Sequence, residues 1–165
     1  MLVKEIGYVV AGEGTRQAGL AVIRTTLDTW GVPLEGVVLH DGSGLSRDNR
    51  LTCAALATVV SSTPVADELR QLLPVAGRDG TLATQLLGTE AEGVLQAKTG
   101  TLSDVKALTG SQPSDSRVRV DFSLVMNGEN VDDPEVYEPI WKSLVALIDD
   151  YPIVVEPNVD LFAPR

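Results

Sequence analysis

The stretch Val118-Arg119-Val120-Asp121-Phe122-Ser123-Leu124-Val125-Met126 limits the fold more than any other part of the chain. Val118, Val120, Phe122, Leu124 and Met126 recur at every second position, so extended backbone puts all five on one face. No helix could gather them. Residues 94–99 and 105–109 read as two further strands, and only short polar turns separate the three segments. Such turns are too short for a crossover, so the strands form an antiparallel meander. Its apolar face needs a cover. A helix starting about Pro134, with Val136, Ile140, Trp141, Leu144, Val145 and Ile148 as its apolar residues, supplies one. The expected class is α/β of the α+β type: an antiparallel sheet of about three strands flanked by helices.

Upstream the periodicity is helical. Leu2, Val3, Ile6, Val9 and Val10 share a helical face, yet no Ser, Thr, Asp or Asn precedes them as a cap. After Gly12-Glu13-Gly14, residues 16–30 form a second amphipathic helix capped by Thr15 and stopped by Gly31-Val32-Pro33. Val37-Val38-Leu39 suits a short buried extended segment. Further helices are expected at 52–61, ending before Pro64, at 69–73, closed by Pro74, and at 81–87. No internal repeat, low-complexity tract or linker divides the chain.

Composition narrows the function. Thirteen Lys and Arg against 23 Asp and Glu give a net charge of −10, which argues against a nucleic-acid or anionic-membrane surface. Seven of those ten charges lie in residues 129–165, where nine acidic residues face only Lys142 and Arg165. An apolar content of 44% is that of a folded chain. Cys53 is the only cysteine and His40 the only histidine, so a Cys-rich zinc site and a His-based zinc cluster are excluded and nothing favours a Ser/His/Asp triad. Cys53, in an apolar helical run, is expected to be buried as a small hydrophobe; His40 reads as a surface or strand-end residue. There is no apolar run of membrane-spanning length and no export signal at the start.

The short motifs are weak singly. Asp41-Gly42-Ser43-Gly44 matches neither a dinucleotide fingerprint nor a phosphate-binding P-loop and reads as a structural turn. It is not a nucleophile elbow either, which requires G-x-S-x-G. In combination and order they are specific. Asp41-Gly42-Ser43-Gly44-Leu45-Ser46-Arg47-Asp48-Asn49-Arg50-Leu51-Thr52, then Leu73-Pro74-Val75-Ala76-Gly77-Arg78-Asp79-Gly80-Thr81-Leu82, then Ala97-Lys98-Thr99-Gly100-Thr101-Leu102 resemble the C-terminal half of the class C low-molecular-mass penicillin-binding proteins. These are serine-type D-alanyl-D-alanine carboxypeptidases and endopeptidases of peptidoglycan. The resemblance spans about residues 1–150 and leaves 151–165 as an irregular acidic tail.

It implies an incomplete penicillin-binding-protein or β-lactamase-like transpeptidase domain that acts by acyl transfer on D-Ala-D-Ala peptides, takes β-lactams and needs no metal or organic cofactor. Within K-T-G, Lys98 would assist proton transfer and attract the substrate's terminal carboxylate, Thr99 would hydrogen-bond that carboxylate, and Gly100 would let the substrate backbone approach. The Thr101 N–H would be half of an oxyanion hole. Two family elements are missing. No Ser-x-Asn occurs, and the S-x-x-K spacing from Ser103 to Lys106 falls in the turn after the K-T-G strand, where residues three apart share no helical face.

In the family, S-x-N immediately precedes the helix that residues 1–7 resemble. The chain is therefore expected to lack an upstream half with the nucleophile and any export signal, to be inactive alone, and to derive from an extracytoplasmic parent. The strand at 118–126 would then be an open sheet edge and a route to self-association. Ser111 departs from the family, which has an aromatic or apolar residue after the strand's glycine. A second class of function stays open: a non-catalytic interaction or scaffold protein built on this fold.

Overall fold

In the computed structural model, which describes residues 1–152, the three strands form one antiparallel sheet in the order β1-β2-β3. They are β1 (Gln96–Leu102), β2 (Val105–Pro113) and β3 (Arg119–Asn127). A two-residue turn, Ser103-Asp104, joins β1 to β2, and the register runs unbroken from Gln96↔Ser111 to Leu102↔Val105. Four helices precede or flank the sheet: α1 (Leu2–Ala11), α2 (Arg16–Thr29), α3 (Cys53–Ser61) and α4 (Ala66–Gln71). The last, α5 (Pro134–Asp149), covers it.

Directly paired residues share a face, so the register sorts the side chains. One face carries Ala97, Leu108, Phe122 and Leu124 against Tyr137, Trp141, Val145 and Ile148 of α5. The other carries Gln96, Ser111 and Asp121 in one row and Lys98, Thr109 and Ser123 in the next. Ser111 is thus the residue of a polar row, buried but turned away from α5, and its position does not call for an apolar side chain.

Several boundaries differ from the sequence expectation. Strand β1 starts at Gln96 because Leu95, fully buried, closes a turn through its N–H to Ala91 O. Strand β2 runs past residue 109 to Pro113. In α5 the buried stripe is Tyr137, Trp141, Val145 and Ile148, while Val136 and Ile140 are exposed. The segment 81–87 is not a helix. Only a single 3-10 turn, Gly80–Leu82, forms there, and Leu86 has a φ of +58°, which no right-handed helix accepts. Helix α4 lies earlier than 69–73. Cys53, the first residue of α3, is exposed rather than buried: the first turn faces solvent and the burial falls on Ala55 and Val60.

Thr15 caps α2 as expected, accepting from Ala18 N–H at 3.0 Å, and Met1 gives α1 no side-chain cap; Thr52, expected as the first helical residue, instead caps α3 by accepting from Ala55 N–H at 3.1 Å. Helices α1 and α2 cross in backbone contact, since a Cβ on Gly19 would lie 1.8 Å from Val3 O. No helix among the described residues is long and apolar enough to cross a membrane. The tail expected at 151–165 lies, from residue 153 on, outside the described residues.

Candidate functional site

The site is best built from the outer edge of β1, the side away from β2. At the start of the strand that edge is occupied. Ala97 N–H donates to Pro74 O at 3.0 Å, and Val75 bridges Gln96. Hydrogen-bonding direction alternates along a strand, so with Ala97 N–H pointing outward, those of Thr99 and Thr101 point outward too. The covering segment has turned away by then, and neither amide has a backbone partner among the described residues. The free edge of the sheet therefore opens at Thr99 and continues through Thr101.

Side chains around this edge divide between the faces. Lys98 is exposed on the polar face, in the row with Thr109 and Ser123, where its ammonium donates to Thr99 O and makes no ion pair among the described residues. Thr109 and Ser123 hydroxyls share a hydrogen bond of 2.8 Å beside it. Thr99, on the α5 face, donates its hydroxyl to Thr81 Oγ1 at 2.8 Å. Gly100 has room for more than hydrogen. A Cβ there would meet only Ala107 Cβ at an ordinary 3.4 Å, so the fold itself does not require glycine.

All three sequence motifs converge on this strand. In the first, the Asp41 carboxylate organises the loop by accepting from Asn49 Nδ2 and Gly44 N–H at 2.9 Å each, and from Ser43 Oγ and Ser46 N–H. The Asn49 bond, helped against some desolvation by Ser43, Gly44 and Ser46, holds that carboxyl well below the ordinary range. The loop is a self-contained turn whose N–H groups bond its own carboxylate, not a phosphate cradle. Its Arg47 reaches the β1–β2 turn, donating to Asp104 Oδ2 at 2.8 Å and Ser103 Oγ at 3.2 Å. The second motif supplies Pro74 and Val75 along β1 and Thr81 against Thr99.

Ser103 and Lys106 do not act as a pair. Ser103 sits in the turn facing Arg47, while Lys106 is on β2, paired with Thr101, its ammonium 3.8 Å from the centroid of the Tyr137 ring. His40 is exposed, with Nε2 3.9 Å from Asp48. No cluster of metal-ligating side chains occurs among the described residues. Sequence reasoning missed Thr81, Arg47 and Lys106 as neighbours of the strand. The conjunction of motifs in order was the available sign that distant loops meet there.

The profile of the D-Ala-D-Ala carboxypeptidase 3 (S13) family matches residues 1–150. A D-alanyl-D-alanine carboxypeptidase of Actinomadura sp. (strain R39) is 45% identical over 138 residues, covering 79% of this chain and 26% of that protein. A penicillin-sensitive carboxypeptidase A of Dictyostelium discoideum is 34% identical over 143 residues, covering 81% and 27%. Among solved structures, penicillin binding protein 4 (dacB) of Haemophilus influenzae superposes with a TM-score of 0.82 at 23% identity, over 91% of this chain and 36% of that one. That likeness shows the fold. The chain spans about a quarter of the length of these curated relatives.

Proposed function

The chain belongs to the D-Ala-D-Ala carboxypeptidase 3 (S13) family, and from that premise we propose that it carries the K-T-G side of a serine-type carboxypeptidase or endopeptidase site for peptidoglycan stem peptides. The observation that carries this reading is the free β1 edge, which begins at Thr99. An extended peptide can add to such an edge through main-chain hydrogen bonds. Its neighbours fit the family's chemistry. Lys98 offers an ammonium without an ion pair among the described residues, for a terminal carboxylate and for easing proton transfer. The Thr99 hydroxyl can turn from Thr81 Oγ1 and donate to that carboxylate, and Gly100, not required by the packing, leaves the approach clear. The outward Thr101 N–H can stabilise the oxyanion that forms when a serine adds to the scissile carbonyl. Attack would expel D-alanine and leave an acyl-enzyme for water to hydrolyse.

Neither S-x-N nor a correctly placed S-x-x-K is present in this chain, so the reaction needs a nucleophile from outside it. The reading therefore makes this chain inactive alone and places the parent enzyme with its substrate, outside the cytoplasm. An interaction or scaffold role has one observation in its favour, the second edge, at β3, open among the described residues. The exposed Lys98 supports the enzymatic reading, because a scaffold has no use for it. Two arms of one experiment test the proposal. Titrating the labelled chain with a D-Ala-D-Ala-terminated peptide should move the Thr99 and Thr101 amide resonances, and Lys98→Met should abolish the effect. Incubation with labelled penicillin should leave no covalent adduct. Unmoved amides at millimolar peptide, or an adduct on Ser103 or another serine, would each defeat it.

A further inference from the structure

Lys106 is the one lysine of the strands turned toward the core face. It is 9% exposed, lies under α5 and has no carboxylate within ion-pairing distance among the described residues. Burial disfavours its charged form, and only the more distant Asp132 acts in the opposite sense. A methionine would fill the same slot without that desolvation cost. The charge must therefore act through what the ammonium touches, which is three groups. Thr101 Oγ1 accepts a hydrogen bond at 3.2 Å, the Tyr137 ring centroid is at 3.8 Å and the Trp141 ring centroid at 5.3 Å. The two rings are themselves packed together, centroids 4.7 Å apart, and are 4% and 1% exposed, so they form a rigid base on α5.

The place of this contact in the ladder gives it a consequence. Thr101 and Lys106 are register partners, and with Thr101 N–H outward they form a rung that lacks main-chain hydrogen bonds. The side-chain bond is what ties β1 to its neighbour at that rung. A β-branched side chain has few χ1 wells, and the well it occupies is coupled to its backbone dihedrals. Holding Oγ1 from below thus restrains the backbone that aims the N–H outward.

We propose that Lys106 is a positioning residue for Thr101: held on the Tyr137 and Trp141 rings, it fixes the Thr101 side chain and so orients the Thr101 N–H along the open edge. This rests on the proposed oxyanion role of Thr101 only for its catalytic meaning; the positioning itself is a property of the chain without substrate.

The test is made on the isolated chain by nuclear magnetic resonance, with no substrate. Three-bond couplings should report a single Thr101 χ1 rotamer in the parent chain, averaging over wells in Lys106→Met, and a return to one rotamer in Lys106→Arg, while Thr99 and Phe122 resonances stay in place. A merely structural lysine would move the last two as well. A single unchanged Thr101 rotamer in Lys106→Met overturns the proposal. If that variant does not fold, Thr101→Val decides. Loss of the acceptor should accelerate exchange of the Lys106 ammonium protons by about tenfold, and an unchanged ammonium signal overturns the proposal. Failure here leaves the peptide titration standing, and failure of the titration leaves the rotamer result standing.

Discussion

Replacing Gly110 by alanine should displace the K-T-G strand itself. Gly110 is the register partner of Ala97, at a rung without main-chain hydrogen bonds, where paired strands lie closest. A Cβ built on it falls 2.1 Å from Gln96 O, 2.5 Å from Ala97 Cβ and 2.6 Å from Ala97 Cα. Real Cβ atoms keep at least 3.0 Å from such neighbours, so the strands must separate by about 0.9 Å at this rung. The atoms in the way are mostly backbone, and no side chain can rotate aside. Overpacking of this kind costs about 3 kcal/mol, the upper part of its usual range. For a chain of this size that lowers the melting temperature by roughly 6–12 °C. Calorimetry reads the loss, and hydrogen exchange at Lys98 and Gly100, whose amides point toward β2, reads the opened ladder. Gly100→Ala is the control. Its Cβ would meet Ala107 at 3.4 Å, so its melting temperature should stay within about 2 °C of the parent. A Gly110→Ala chain that melts within that same margin, with both amides still protected, would refute the reasoning.

Other substitutions probe the rest of the fold. The Asp41 carboxyl is held below its unfolded value, so its contribution is fully present above about pH 4 and is lost as pH falls through and below the ordinary carboxylate range. Asp41→Asn should therefore flatten the acid limb of melting temperature against pH; an unchanged limb would show that the loop does not depend on that charge. Arg70 is buried between Asp67, Val60 O and Asp121, whose Oδ1 has no hydrogen-bond partner and lies 3.9 Å away. Asp121 also accepts a hydrogen bond of 3.2 Å from Arg119 Nε, so its charge is stranded only when both cations are removed. Arg70→Met combined with Arg119→Met should lose about 3 kcal/mol in chemical denaturation, and Asp121→Asn added to them should recover much of that. No recovery in the triple variant would show that Asp121 is not the stranded group. At the far edge of the sheet, β3 has a partner on one side only among the described residues, so the chain should associate with rising concentration in analytical ultracentrifugation, and Val125→Lys should suppress this. A clean monomer with β3 protected from exchange would count against it.

The legible parts of the fold were those where one local pattern had no competitor. Alternation at 120, 122, 124 and 126 can be satisfied only by a strand, and Thr15 stands just before an amphipathic helical run that needs a cap. Val118 shares the alternation yet falls outside β3, because it closes the preceding turn through Ser114 N–H to its own carbonyl at 2.8 Å. Residues 81–87 resemble a helix for a physical reason. Leu82 and Leu86 have helical spacing and are both buried, but they reach the core through a 3-10 turn and a left-handed residue. Spacing alone cannot tell these routes apart. Cys53 shows the reverse: an apolar run does not reveal which of its faces the fold covers. As for the site, the order of motifs brought out Lys98, Thr99, Gly100 and Thr101. Thr81 meets the strand only through tertiary packing, which no local pattern encodes, and Lys106 meets it across a two-residue hairpin that ending the first strand at residue 99 concealed.

Under the proposed function, the two faces of the sheet bear on the side from which a nucleophile would reach the β1 edge. The apolar face is closed by α5 from Ala97 to Leu124. The polar face is covered by α3, which packs on β3 and β2, and by α4, which packs on β1 and brings Arg70 to Asp121, but farther along β1 it ends on the exposed Lys98 and the half-exposed Gly100. Side chains on that face at β1 point away from α5, while the Thr99 and Thr101 amides point along the edge. A reacting carbonyl lying against the edge would then have the Thr101 N–H beside it and Lys98 above it on the polar side. A nucleophile serving both would approach from the polar face, over Gly100, where a Cβ would meet only Ala107 Cβ at 3.4 Å. In a family enzyme that holds both the serine and this strand, the change equivalent to Gly100→Val should therefore abolish acylation by labelled penicillin, whereas entry from the α5 side would leave acylation untouched.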